Sequence, residues 1–449
     1  MGRLFGTDGA RGIANTEITC ELAMKIGRAA AMVLTENVKG RPRVIVATDT
    51  RKSADMLSAS ISAGLCSVGA NVLSLGVLPT PAVAYLVKLY NYDAAVMITA
   101  SHNPCEYNGI KIFSCDGYKL PDSMEERIES IILDESAVPP IKIGGEVGSI
   151  SRAENAMSDY IKHVSSAARS RFYGLRIALD CANGASSVTA QELFRELGAE
   201  VSVINSHPDG VNINRDCGST HIERLSEFVR TGRYDAGFAF DGDADRVLAV
   251  DENGELVDGD KIIAVCALDM KNRNILNGNT VVVTVMSNMG LFEFLEKKGI
   301  NYETTSVGDR YVLERMLERD YHLGGEQSGH VIFTDYATTG DGELTAVMLL
   351  NIMRSTGKSL SELTKDVEIF PQVLVNVKVS SYGKHRLSED EDIAIAIEQS
   401  KSELGKNGRV LVRPSGTEPL VRVMLEGKDK EQIDRLANDI AGVIKERLI

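Results

Sequence analysis

The stretch YDAAVMITASHNP, Tyr92 to Pro104, runs an unbroken apolar segment, Ala94 to Ile98, straight into Thr99-Ala100-Ser101-His102-Asn103-Pro104. Apolar residues without alternation mark a strand buried on both faces, as in a parallel sheet covered by helices. The abrupt polar, turn-prone ending marks a loop at the strand's C-terminal end, where open α/β sheets bind ligands. Four other segments share this form: RVIVATDTRKSA (Arg43 to Ala54), LRIALDCANGA (Leu175 to Ala185), YDAGFAFDGDADR (Tyr234 to Arg246) and TVVVTVMSNMG (Thr280 to Gly290). Helical periodicity precedes the first of them, in Thr16 to Leu34, and lies between later ones, in Ser186 to Gly198. The fold class is therefore α/β, with mixed, largely parallel sheets, and the recurring strand-to-polar-turn pattern predicts a diverged structural repeat.

The punctuation of the chain sets its division. Asp134 to Ile150 is rich in Pro and Gly and has no sustained period, which places a boundary near 150. RVLAVDENGELV, Arg246 to Val257, reads as two short strands joined at Asn253-Gly254, with a second boundary near 255. After Phe370-Pro371 the pattern changes to alternating strands (Gln372 to Val379, Gly408 to Pro414) and amphipathic helices (Glu389 to Leu404, Lys430 to Leu448). Three related α/β domains, 1–150, 151–255 and 256–369, and a smaller α+β domain, 370–449, are expected.

Composition narrows the function. The chain has 449 residues, 43% hydrophobic and 25% charged, an ordinary globular balance. A net charge of −14 opposes a broad nucleic-acid surface. No long uncharged apolar run suggests a membrane span or leader, and seven scattered cysteines without a C-x-x-C pair suit reduced thiols. A cytoplasmic protein acting on small molecules is expected. Local cations beside glycine-rich or polar segments, among them Arg11, Lys111, Arg246, Arg310, Arg413 and Arg422, suit a small anion.

Four segments have the makeup of a reactive site. DGDADR sets Asp241, Asp243 and Asp245 at alternate positions, three hard oxygen donors of the kind Mg2+ requires. An EF-hand is excluded, because Arg246 stands where its loop needs glycine and both flanks read as strands. GGEQSGH, Gly324 to His330, combines Glu326, Ser328 and His330 with glycines that permit close approach of a polyhydroxyl ligand. RPSGTEP, Arg413 to Pro419, combines a guanidinium with Ser415, Gly416 and Thr417, a nest for a phosphate dianion. Ser101 lacks a G-x-S-x-G elbow, and His102 beside it points the other way on an extended segment. Taken alone, each segment also reads as an ordinary turn or cap.

Together, TASHNPCEYNGIK (Thr99 to Lys111), DGDADR, GEQSGH and RPSGTEP occur in an order and at separations that resemble the α-D-phosphohexomutase superfamily, over essentially the whole chain. FGTDGARG (Phe5 to Gly12), VNINRDCGSTH (Val211 to His221), SVGDRYV (Ser306 to Val312) and Gln327 resemble its bacterial amino-sugar branch; Ala10 departs from the isoleucine of the usual FGTDGIRG. The resemblance implies domains around a central cleft and a phosphoserine at Ser101 that exchanges its phosphoryl group with glucosamine 6-phosphate by way of glucosamine 1,6-bisphosphate. It implies one Mg2+ held by Ser101, Asp241, Asp243 and Asp245. Lys111, Arg11 and His330 would then move protons and stabilise charge. Arg246 would orient the metal loop or touch phosphate, Glu326 and Ser328 would bind sugar hydroxyls, and Arg413, Ser415, Gly416, Thr417 and Arg422 would hold the phosphate that is not transferred. A homodimer is also suggested. The competing readings are a glucose or mannose phosphate mutase of the same family, a Mg2+-dependent sugar phosphatase, and a non-catalytic binding protein.

Overall fold

The computed structural model describes residues 3–448 except residues 7, 37, 39 and 416–419. Two compact units divide it: one comprises Met1–Met286 with Ile300–Lys365, the other Ser287–Gly299 with Asp366–Ile449.

The first unit holds three sheets. Strands β1 (Ala10–Ile13), β2 (Arg43–Thr48), β3 (Asn71–Val77), β4 (Ala94–Ile98), β5 (Tyr107–Ser114) and β6 (Ile150–Arg152) form the first, in the order β1-β5-β4-β2-β3-β6. Strands β7 (Arg176–Asp180), β8 (Glu200–Ile204), β9 (Ala236–Phe240), β10 (Val247–Asp251) and β11 (Leu256–Val257) form the second, ordered β11-β10-β9-β7-β8. Strands β12 (Thr280–Thr284), β13 (Asn301–Thr305), β14 (Leu323–Gly325) and β15 (Val331–Phe333) form the third, ordered β13-β12-β14-β15.

These sheets share one wiring. In each, a central strand (β2, β7, β12) pairs in parallel with the next strand on one side and with a later strand (β4, β9, β14) on the other. That later strand turns back through a loop into an antiparallel return strand (β5, β10, β15). The expected repeat is thus a repeat of topology, and each return loop is one of the polar segments singled out in the sequence. Leu256 and Val257 pair with β10, so the second sheet runs past residue 255.

Burial follows the apolar pattern. All five residues of β4 and all five of β9 are buried, as their unbroken apolar runs require. Helix Cys20–Leu34, capped by the Thr19 hydroxyl on the Leu22 amide, lays Ala23, Ile26 and Ala30 into the first core with Leu57 and Ile61 of helix Ala54–Ser67. Helix Gly342–Thr356 is buried along most of its length, and its cap Asp341 accepts from the Leu344 amide at 2.9 Å and from the Tyr160 hydroxyl at 3.0 Å. Glu343 on the same turn is wholly buried and accepts from the Thr189 hydroxyl. These polar contacts tie residues 156–190 to the start of that helix.

In the second unit, β16 (Gln372–Lys378), β17 (Gly408–Pro414) and β18 (Leu420–Gly427) form an antiparallel sheet with β18 central. Helix Lys430–Leu448 packs Ile433, Ile440 and Ile444 on Val421, Val423 and Leu425. Helix Met289–Lys297 belongs to this unit: its Met289 amide donates to buried Glu426 at 2.9 Å, and Asn288 bonds the Phe370 carbonyl at 3.1 Å. All seven cysteines are free thiols. Among the described residues no helix is long and apolar enough to cross a membrane.

Burial pushes the Asp341 carboxyl up to about 6, against the lowering effect of the Leu344 amide and the Tyr160 hydroxyl. A carboxyl that holds its proton more tightly folded than unfolded costs stability as pH rises from its unfolded value through its folded one. Relative to Asp341→Asn, the wild type is therefore expected to lose about 1 kcal/mol between pH 5 and 7, with the difference flat above that. Urea midpoints of both proteins across this range measure it; parallel curves would contradict it.

Candidate active site

Three return loops and the β1 segment converge in the first unit. Ser101 follows β4 by three residues, is fully buried and has φ +50, the left-handed region that is uncommon outside glycine. Its Oγ donates to Asp241 Oδ2 at 2.5 Å. Asp241, Asp243 and Asp245, in the β9–β10 loop, are buried and bring one carboxylate oxygen each within 4.8 Å of one another. Gly242 makes this closeness possible, since a Cβ there would lie 2.5 Å from the Ser101 carbonyl oxygen.

Three buried carboxylates strongly disfavour one another's charge unless compensated. Lys111, on β5 with its side chain buried, supplies the compensation: Nζ lies 2.8 Å from Asp243 Oδ2, 3.2 Å from Asp245 Oδ2 and 3.3 Å from an Asp8 oxygen. Burial by itself would lower the Lys111 ammonium, but Asp243, Asp245 and Asp8 together outweigh it and hold the group above the ordinary lysine value. The triad divides in consequence. Burial, with the charges of Asp245 and Asp243, holds the Asp241 carboxyl well above the usual range, whereas Lys111 and His330 overcome burial and hold Asp245 well below it.

The donor set suits a hard divalent cation. Asp243 Oδ1 and Asp245 Oδ1 are buried and have no hydrogen-bond partner, so two oxygens are left over after Lys111 and the Thr80 hydroxyl, 2.5 Å from Asp243 Oδ2, are satisfied. Buried acceptors of this kind are costly unless something supplies positive charge to them. Asp241, Asp243, Asp245 and Ser101 Oγ are the oxygens that would hold Mg2+.

Around this core the other expected residues take distinct places. Arg11, on β1, pairs with Asp8, and Asp8, Asp243 and Asp245 raise its guanidinium despite burial. His330 is buried, with Nε2 accepting from the Gly340 amide at 3.0 Å, which leaves Nδ1 to carry the proton, 3.8 Å from Asp245. His102 Nδ1 lies 3.3 Å from Arg246 Nη1, and burial, followed by the Arg246 and Arg11 charges, lowers it to about 4, so it stays neutral. Arg246 also donates its amide to Asp241 Oδ1 at 3.3 Å. Glu326 accepts from the Gly308 amide at 3.1 Å, and Ser328 is exposed at the tip of the same loop. Gln327 donates to Asp258 at 3.2 Å, beneath the loop.

Sequence reading did not single out Asp8, Lys119, Asp309 or Thr80. Lys119 bridges Asp8 and Asp309, the latter at 2.5 Å, and Asp309 lies 3.6 Å from His330 Nε2. Asp8 and Asp309 fall inside FGTDGARG and SVGDRYV, so a charge within a glycine turn was the available signal; Lys119 and Thr80 had none.

In the second unit, Arg413 on β17 and Arg422 on β18 stand directly opposite in register. Like charges facing across a strand pair are unfavourable without an anion, and burial together with Arg422 lowers the Arg413 guanidinium. Ser415 is buried and its amide donates to the Leu420 carbonyl at 2.9 Å. Gly416 and Thr417 lie outside the described residues.

The chain matches models of the phosphoglucomutase/phosphomannomutase family in four consecutive parts: alpha/beta/alpha domain I over residues 2–138, domain II over 158–254, domain III over 258–370 and the C-terminal domain over 374–443. It is 56% identical over 448 residues to a phosphoglucosamine mutase of Acetivibrio thermocellus, spanning 100% of both chains. Its fold is like that of a phosphoglucomutase/phosphomannomutase family protein from Burkholderia thailandensis, with a TM-score of 0.83 at 24% identity, covering 99% of this chain and 97% of the other. An Aspergillus fumigatus N-acetylphosphoglucosamine mutase, solved with GlcNAc-6P and magnesium, shares the fold at a TM-score of 0.72 and 17% identity, covering 99% and 96%.

Removing Lys111 strips the triad of its charge. Lys111→Ala is expected to lose about 3 kcal/mol of stability in EDTA, the cost of breaking a buried pair, and to recover most of it in millimolar Mg2+. Thermal melts with and without the ion test this; a loss indifferent to Mg2+ would show that ammonium and cation do not serve the same carboxylates.

Proposed function

The chain belongs to the phosphoglucomutase/phosphomannomutase family, and on that premise we infer that it is a phosphoglucosamine mutase, interconverting glucosamine 6-phosphate and glucosamine 1-phosphate. The observation that carries the reading is Ser101 Oγ at 2.5 Å from Asp241 in a buried three-carboxylate pocket, in a chain 56% identical over its length to a protein of that name. Hexosamine 1-phosphate is the form from which UDP-N-acetylglucosamine and cell-wall precursors are built. Free thiols and the absence of an apolar span among the described residues suit a cytoplasmic site of action.

Ser101 carries the phosphoryl group. In one direction, O1 of glucosamine 6-phosphate attacks the phosphorus, the bond from phosphorus to Ser101 Oγ breaks, and glucosamine 1,6-bisphosphate results. The intermediate then presents its 6-phosphate, Ser101 Oγ attacks that phosphorus, and glucosamine 1-phosphate leaves with O6 protonated. Each transfer frees one proton from the attacking hydroxyl and consumes one at the departing oxygen. Lys111, charged at rest, supplies and retrieves that proton.

Bound at Asp241, Asp243, Asp245 and Ser101, Mg2+ would neutralise charge on the transferring group. Arg11 stabilises the same charge, and Arg246 holds the Asp241 loop and neutral His102 in place. His330, with its proton on Nδ1, orders Asp245. Glu326 and Ser328 bind sugar hydroxyls, while Arg413, Ser415, Gly416, Thr417 and Arg422 bind the phosphate not in transit.

Initial rates with glucosamine, glucose and mannose 6-phosphates test the substrate, with glucosamine expected to dominate kcat/KM; a strong preference for either neutral sugar would reject it. Intact mass tests the carrier. Wild type is expected to gain one phosphoryl group from the bisphosphate, and Ser101→Ala to gain none and lose activity by several orders of magnitude. Free phosphate appearing faster than 1-phosphate would point to a phosphatase.

A further inference from the structure

Two residues that take no part in the chemistry above converge on the backbone of the Ser101 loop. Arg51 follows β2, and its side chain is wholly enclosed. A guanidinium has five N–H donors, and here every one is engaged. Nε donates to Asp49 Oδ2 at 2.8 Å, Nη1 to the carbonyls of Pro104 at 2.5 Å and Tyr107 at 3.0 Å, and Nη2 to those of Ser101 at 2.9 Å and Asn103 at 2.8 Å. Four of the five acceptors are main-chain oxygens between Ser101 and Tyr107, three in the loop and one at the first residue of β5.

Asn214 comes from VNINRDCGSTH, a segment otherwise without a role. Its Nδ2 donates to the same Ser101 and Asn103 carbonyls at 2.8 and 3.0 Å. The flanks of Arg51 are fastened to the same region: the Lys52 amide donates to the Gly210 carbonyl at 2.7 Å, and the Thr50 hydroxyl to the Asn183 carbonyl at 2.6 Å. On the other side of the serine, the Thr99 hydroxyl donates to Asp49 at 2.7 Å and accepts from the Ser101 amide at 2.9 Å. A non-glycine residue with φ +50 persists only where its surroundings over-determine it. Here the Ser101 amide and carbonyl are both fixed, the carbonyl by two donors from different sheets' loops.

We propose that Arg51 and Asn214 are positioning residues for phosphoryl transfer: by gripping the Ser101 carbonyl from two sides they keep Oγ in one orientation toward the three aspartates, with or without a phosphoryl group attached. This rests on Ser101 as the carrier. Both residues act through the Ser101 and Asn103 carbonyls, which form and break no bonds to phosphorus, so their loss is expected to disturb the reacting geometry and to leave sugar binding alone. Misplacement by about 1 Å costs roughly a hundredfold in rate.

The test uses the full chain with Asn214→Asp, Asn214→Ala and Arg51→Lys. Asp keeps the size of Asn and tolerates the left-handed backbone found at 214, φ +56, but offers no donor to two carbonyls. Measured are kcat and KM for glucosamine 6-phosphate, the rate at which glucosamine 1,6-bisphosphate phosphorylates Ser101 by quenched-flow intact mass, and thermal melts. Both Asn214 variants are expected to melt as folded proteins, to lose tenfold to a hundredfold in kcat and in phosphorylation rate, and to keep KM within twofold; Arg51→Lys is expected to lose more. Wild-type kcat in a folded Asn214→Asp, or a loss confined to KM, overturns the proposal. If Arg51→Lys does not fold, the Asn214 pair decides. Failure of the wild type to take up a phosphoryl group would instead reject the carrier reading itself.

Discussion

Three carboxylates and a serine hydroxyl are buried together, and the residues near them answer to the carboxylates' repulsion. Lys111 is buried because Asp243 and Asp245 hold it there, and Asp8 is drawn in beside it. Thr80, at the start of helix Thr80–Leu89, sets its hydroxyl and amide on Asp243, so that the helix's positive end faces the negative loop. The alternation continues outward through Lys119, Asp309 and His330 back to Asp245. A change at one member is felt by neighbours drawn from three sheets.

The repeated wiring explains how so dispersed a site is assembled. One topological device, a parallel strand turning back into an antiparallel one, occurs three times, and its turn carries in succession the serine, the aspartates and the Glu326–His330 segment. The central strands β2, β7 and β12 are alike in being almost wholly buried; the turns differ. Specialising three copies of one loop is simpler than inventing three supports.

Much of this was legible because it is local. Unbroken apolar runs announced β4 and β9 as doubly buried, alternating strands after Phe370 announced a smaller α+β unit, and three aspartates within five residues form a ligand cluster whatever surrounds them. What stayed hidden depends on chain-distant pairing: Thr80 meets Asp243 across 163 residues, Lys119 meets Asp309 across 190, and Asn214 meets Ser101 across 113. Neither a lysine in a turn nor an asparagine in a loop carries a local sign of such a partner. His102 is the converse case: adjacency to Ser101 alone does not make it a base, and the structure places it as a neutral ring beside Arg246.

The tethered ammonium of Lys111 also bears on ion selection. A pocket of three bare carboxylates would seize whatever cation was abundant, potassium included. With Lys111 already on two of the three aspartates, any incoming ion must displace or share with a monovalent charge that is covalently part of the chain and so present at very high local concentration. Another monovalent ion gains little from that exchange, whereas a small divalent one does. Meanwhile the tethered charge offsets part of the carboxylates' mutual repulsion without any exchangeable ion.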